Sequence, residues 1–135
     1  MQIGSAVPIE EETKKSPLIY VARGRHLETG LPKSIKFSSV EVREALSQIL
    51  HQIIFAIAET IEGTPPELVS DIVKHGLTMT GGGSKLRGLT KLVADAIKMP
   101  VWLADRPEET VVQGCRIVLE KPELLARVKV VGGLR

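Results

Sequence analysis

A chain of 135 residues, 43% hydrophobic and 25% charged, has the material for one domain's core, and folding at this length buries roughly two thirds of the unfolded surface. Its 18 basic and 16 acidic residues are interspersed without a basic run and leave a net charge of +2, a balance that argues against nucleic acid as a partner. No run approaches the roughly 18 apolar residues of a membrane span, Met1-Gln2-Ile3-Gly4 is not a signal peptide, and the single Cys115 excludes an internal disulfide, which suits a reducing cytoplasmic setting.

Residues 1–38 read as strands and loop, and residues 39–135 as a helix-rich α/β segment. The charge cluster with a proline, Glu10 to Pro17, predicts an exposed turn. Leu18 to Arg23 and Ser34 to Phe37 are short and β-prone, separated by Gly24, Gly30 and Pro32, and read as strands. Ser38 followed three residues later by Glu41 is a capping box, and Val42, Leu46, Ile49, Leu50, Ile53, Ile57 and Ile61 recur with helical spacing. The helix predicted over Ser39 to Glu62 spans roughly 36 Å. His51 beside its apolar stripe reads as a partly exposed helical residue, not a ligand.

A second helix is predicted with Thr64 as its cap, Pro65 at its first position and Glu67 three residues after the cap. It closes at Lys74-His75-Gly76. Leu77 to Thr80 reads as a strand, and Leu86, Leu89, Leu92, Val93 and Ile97 as the inner stripe of a third helix that stops before Pro100. Val101 to Ala104 reads as the next strand and Thr110 to Leu119 as another helix, in whose apolar setting Cys115 is expected to be buried. Alternating strands and helices with short links predict a parallel sheet covered by helices.

Between the first such strand and its helix stand Gly81, Gly82 and Gly83, followed by Ser84 and Lys85. Glycines let a phosphate, ribose or flat base reach the main chain, and the N–H groups that open a following helix point at it. A tight strand-to-helix turn without a ligand is the plainer alternative, because the run lacks the spacing and terminal Lys-Ser/Thr of a P-loop. In open α/β sheets ligands gather beyond the carboxyl ends of the strands, where this loop lies. Gly82 and Gly83 are expected to pack against the ligand through their main chain, with Ser84 and Lys85 beginning the helix. Lys85 is either a phosphate ligand or a surface lysine, Arg87 is expected to brace the loop, and Asp105 reads as a turn or capping residue.

Thr80-Gly81-Gly82-Gly83-Ser84-Lys85-Leu86-Arg87-Gly88-Leu89, with Thr64-Pro65-Pro66-Glu67-Leu68 upstream, resembles the adenosine motif of the actin-like ATPases, and in particular the MreB family of bacterial actin homologues. Ile3-Gly4-Ser5-Ala6, Arg23-Gly24-Arg25 leading into Thr29-Gly30-Leu31-Pro32-Lys33, and Ser38 to Leu46 follow in the family's order. The resemblance implies the carboxy-terminal part of such a protein: an actin-like, ribonuclease H-like second domain, partial, with a small β-containing subdomain on its N-terminal side. It implies ATP as the ligand, held at Gly81, Gly82, Gly83, Ser84 and Lys85, with Mg²⁺ supplied by phosphate-binding segments upstream of the match. It implies head-to-tail filaments of the chain itself at the inner face of the bacterial membrane, working with the cell-elongation machinery to maintain rod shape by guiding cell-wall synthesis. Membrane attachment would lie in segments outside the match.

Hydrolysing ATP needs carboxylates aimed at a metal-bound γ-phosphate. The aspartates are Asp71, Asp95 and Asp105, the first two on helices flanking the glycine loop, so the chain is not expected to catalyse alone. No Ser-His-Asp or Cys-His arrangement is recognisable, and no catalytic or metal-ligating residue is assigned. Two other readings stay open: a nucleotide-independent interaction module, and a small enzyme using Gly81–Gly83 for a cofactor such as S-adenosylmethionine.

Overall fold

The computed structural model describes residues 3–8, 16–124 and 127. The two β-prone runs form an antiparallel hairpin of β1 (Ile19–Arg25) and β2 (Pro32–Ser38), with Tyr20 opposite Phe37 and Ala22 opposite Ile35. Both strands are longer than predicted, because the ladder continues to the pair Arg25 and Pro32. Its base is tied to the next element: Ser39 N donates to Leu18 O at 2.8 Å, and Leu18 N to Ser39 Oγ at 3.2 Å. Of the predicted turn Glu10 to Pro17, residues 10–15 lie outside the described residues.

Helix α1 (Ser39–Glu62) has the predicted bounds, and the predicted capping box opens it. Ser38 Oγ accepts from Glu41 N at 3.2 Å, while Ser38 N donates to Glu41 Oε2 at 2.8 Å. The Ser38 backbone bond, and then its hydroxyl, hold the Glu41 carboxyl below the ordinary glutamate range. A group whose pKa is lowered by folding stabilises the fold above its unfolded pKa, and that contribution is lost as pH falls through the folded value. Ser38→Ala is expected to cost about 1 kcal/mol of stability, and to flatten the decline of the melting temperature through the acidic carboxylate range. Thermal melts followed by circular dichroism over a pH series check both, and an unchanged melting temperature at neutral pH would show that the cap contributes nothing.

Helix α2 (Pro66–His75) starts one residue later than predicted. Thr64 is not its cap: its hydroxyl donates to Thr60 O at 2.7 Å, extending the last turn of α1. Pro65 occupies the cap position with ψ 141, since a residue before proline is driven out of the helical region. Pro66 therefore takes the first helical position. At the far end Gly76 closes α2 as predicted, its N–H bonded to Ile72 O.

Strands β3 (Leu77–Met79) and β4 (Val101–Leu103) pair in parallel, joined through α3 (Leu89–Ile97). Each is shorter than predicted by its last residue, although Ala104 N still donates to Met79 O at 3.1 Å. Helix α4 (Thr110–Glu120) follows, then a single 3₁₀ turn, Pro122–Leu124. Ala6, Leu50, Leu89 and Val93 form the buried core, with Leu46, Ile57, Met79 and Val101 packed around it, so α1 and α3 meet in a core they share with the parallel pair. The strand–helix–strand order predicted from the sequence is what positions the glycine loop, at the carboxyl end of β3.

Cys115 is exposed, against expectation. It shares an α4 face with Val111 at 77% and Leu119 at 81% exposure; helical spacing identifies an apolar face, but nothing among the described residues covers this one. His51 is exposed on α1. No helix among the described residues is long and apolar enough to cross a membrane.

Candidate functional site

The chain leaves β3 through Gly81, whose φ of 83° and ψ of 158° lie in a region open essentially to glycine alone. Gly81 N donates to the carbonyl of buried Pro107 at 2.7 Å, which pins the loop to the segment after β4. Gly81 O accepts from Ser84 Oγ at 2.6 Å and Ser84 N at 3.2 Å, closing a 3₁₀ turn over Gly82–Lys85. Ser84 is 6% exposed, so its hydroxyl is spent on the turn and not displayed to a ligand.

The expectation that Ser84 and Lys85 begin the third helix is corrected. Leu86 is extended, Gly88 is left-handed with φ 74°, and α3 begins at Leu89. The interruption has a packing reason, since a Cβ on Gly88 would run into the side chain of Val7. The segment 3–8 passes close beside this point: Ala6 N donates to Arg87 O at 2.8 Å, and Ser5 pairs with Arg87 as a parallel bridge. Arg87 thus braces the loop, as expected, through its main chain.

Gly82 and Gly83 differ from their neighbours. Neither has a positive φ, and a Cβ on either would meet nothing within 4 Å. The turn itself would accept alanine at both. The two residues line an open hollow of about 550 Å³ together with Gly4, Leu46, Leu86 and Arg87, with Lys85 at its side. Their bare main chain is presented to this hollow, as close approach by a flat ligand requires.

Lys85 Nζ lies 2.8 Å from Glu108 Oε1, both side chains about half exposed. That hydrogen bond, then one from its own backbone N–H, holds the Glu108 carboxyl below the ordinary glutamate range. An exposed pair of this kind is weak and exchanges readily, so Lys85 has a resting partner and can leave it. Asp105 sits in the exposed bend after β4, and Glu109 takes the cap position of α4. Asp71 and Asp95 are exposed on α2 and α3. No group of three His, Cys, Asp or Glu among the described residues is placed to hold a metal ion. Sequence reasoning missed Pro107 and Glu108, which reach the loop across the turn after β4 with no motif to mark them. Ser5 carried a signal, as part of Ile3-Gly4-Ser5-Ala6.

A family profile described as "MreB/Mbl protein" matches residues 1–127. The chain is 40% identical over 107 residues to cell shape-determining protein Mbl of Bacillus subtilis, covering 79% of this chain and 32% of that protein. It is 38% identical over 119 residues to cell shape-determining protein MreB of Escherichia coli, covering 88% and 33%. Among solved structures, MreB5 of Spiroplasma citri bound to ADP superposes with a TM-score of 0.78 at 31% identity, covering 94% of this chain and 37% of that one. The same protein bound to AMPPNP gives 0.77 at 31% identity, covering 93% and 36%. The chain spans about a third of the length of the relatives it matches. The mixed α/β architecture with a glycine loop closing a parallel strand is part of the actin-like fold, and the chain belongs to the MreB/Mbl family of bacterial actin homologues.

Proposed function

We propose that this chain supplies the adenosine side of an ATP site and part of the polymerising body of a bacterial actin-like cytoskeletal protein. One observation carries the reading: Gly82 and Gly83 have ordinary backbone angles and open space beside them, so the turn makes no demand for glycine at either. A bare backbone facing a hollow fits adenine and ribose, and the nucleotides bound by the two solved MreB5 structures support the choice of ligand. Gly81 shapes the turn, Gly82 and Gly83 are the contact surface, Ser84 locks the turn from below, and Lys85 is the cation within reach of a phosphate once it leaves Glu108. Mg²⁺ and the hydrolytic water would be handled by phosphate-binding segments outside these residues, so the chain is not itself assigned catalysis.

In this reading residues 1–38 belong to the small subdomain and residues 39–135 to the larger one. Subunits stack head to tail, a contact between unlike surfaces that does not close on itself, and the filament works with the cell-elongation machinery at the inner face of the membrane to guide wall synthesis and keep a rod shape. The relatives' names as cell shape-determining proteins support that role. The exposed apolar residues Trp102, Leu103, Val111 and Leu119 support contact with further protein.

Because one wall of a cleft holds a nucleotide poorly, the chain alone is expected to bind ATP with a dissociation constant on the order of 1 mM, equivalent to about 4 kcal/mol. Titration calorimetry measures it. Micromolar affinity would show a complete site within the chain, and no saturable heat with ATP in large excess would remove the loop assignment.

A further inference from the structure

The glycine loop, Gly81 to Lys85, is tied at both ends to two consecutive residues of the segment after β4. Gly81 N donates to Pro107 O at 2.7 Å, and Lys85 Nζ lies 2.8 Å from Glu108 Oε1. The two ties differ in kind. The first joins main chain to main chain at a buried proline, whereas the second joins two half-exposed side chains, a contact that adds little stability and opens readily. Of the residues lining the hollow, Lys85 and Arg87 carry positive charge. Arg87 makes no ion pair among the described residues, so its charge is displayed, while that of Lys85 is matched by Glu108. Arg106 also acts on the Glu108 carboxyl, although its guanidinium is held by Glu109 at 2.9 Å. A Glu108 that loses Lys85 therefore keeps a cation nearby.

We propose that Glu108 is an internal competitor for the hollow's phosphate cation: its carboxylate occupies Lys85 when no ligand is bound and has to be displaced before Lys85 meets a phosphate. The inference rests on the nucleotide reading above and adds to it the residue that grades ligands by charge. Adenosine is neutral, offers the ammonium no anion and leaves the pair closed. A phosphate offers Lys85 a stronger anion than one carboxylate, and the charge-assisted bond it forms replaces the one that is lost. Glu108 thus lowers affinity for phosphate-bearing ligands and for those alone. The rival account is that the pair braces the loop. Its exposure argues against that, since such pairs hold geometry weakly, and the main-chain bond from Gly81 to Pro107 already fixes the same segment. Nor does the turn call for the pair, because the 3₁₀ turn closes through Ser84.

The test is titration of the 135-residue chain with adenosine, AMP and ATP in the absence of divalent cations, comparing the parent with Glu108→Gln, Lys85→Met and the double variant. Glu108→Gln is expected to tighten AMP and ATP about three- to fivefold, the share that an exposed ion pair holds, and to leave adenosine unchanged. Lys85→Met is expected to weaken AMP and ATP by about fivefold, and on that background Glu108→Gln is expected to have no further effect. Removing an acid from the general field would instead act with or without Lys85, and would act equally in Glu109→Gln, the neighbouring carboxylate. Equal gains on the Lys85→Met background, or a Glu108→Gln chain that binds adenosine as much more tightly as ATP, overturn the proposal and leave the nucleotide site in place. An ATP affinity unchanged by Glu108→Gln overturns it as well, and a lowered melting temperature alongside would make the pair a brace. If the parent binds none of the three ligands in large excess, the nucleotide reading itself falls, and the competitor with it.

Discussion

Replacing Leu50 with alanine is expected to destabilise the chain by about 2–5 kcal/mol, the loss of a buried side chain together with the cavity it leaves. Leu50 is 5% exposed in a core whose other buried apolar members are Ala6, Leu89 and Val93. It is the buried apolar residue of α1, flanked on the same helix by the partly buried Leu46, Ile54 and Ile57. Small domains hold roughly 5–15 kcal/mol in total, and many large apolar side chains here stay exposed, among them Phe55 at 70% and Trp102 at 58%, so the substitution removes a large share of what is available. The neighbouring Ile49→Ala, at 55% exposure, is expected to cost well under half as much. Urea unfolding of both variants compares them, and similar midpoints would mean that α1 does not bury the face described.

Much of this fold is legible because its decisive signals are local. The bounds of α1 follow from Ser38, Glu41 and an apolar period of one face, and the parallel pair follows from strand and helix alternating with short links. The start of α2 differs by one residue from the expectation because two adjacent prolines compete for the same role, and the second one fixes the backbone of the first. Cys115 departs from expectation for a different reason. An apolar helical stripe shows which face would be buried, not whether a neighbour covers it, and the exposure of Val111 and Leu119 beside it is a property of the assembly, not of the helix.

The glycine loop is visible in the sequence as a loop, and its division of labour is not. Which of three adjacent glycines takes a positive φ depends on the bond from Gly81 to Pro107, and where the next helix starts depends on Val7 crowding Gly88. The resting partner of Lys85 is 23 residues away. None of these contacts leaves a pattern within the loop itself, so the sequence marks Gly81 to Lys85 as one unit, whereas in the fold Gly81, Ser84 and Lys85 each have a different partner.

That division sets the second large effect. Gly83→Val, or Gly82→Val, in a full-length MreB/Mbl relative carrying this loop is expected to abolish ATP binding and filament assembly while the fold survives. Gly83 has no positive φ, and a Cβ at this position would have no neighbour within 4 Å, so the added side chain starts from open space at a residue that lines the hollow with Leu46 and Leu86. A loss of more than about tenfold in affinity, or about 1.4 kcal/mol, then reports the ligand and not the turn. Gly81→Val is the contrasting control: its φ of 83° forbids a branched residue, so the loop itself should distort and thermal stability should fall along with binding. Circular dichroism and melting temperature separate the two classes, and nucleotide titration with filament pelleting reads the function. Valine variants at Gly82 and Gly83 that fold, bind ATP and pellet like the parent would reduce the glycines to a turn and remove the nucleotide assignment.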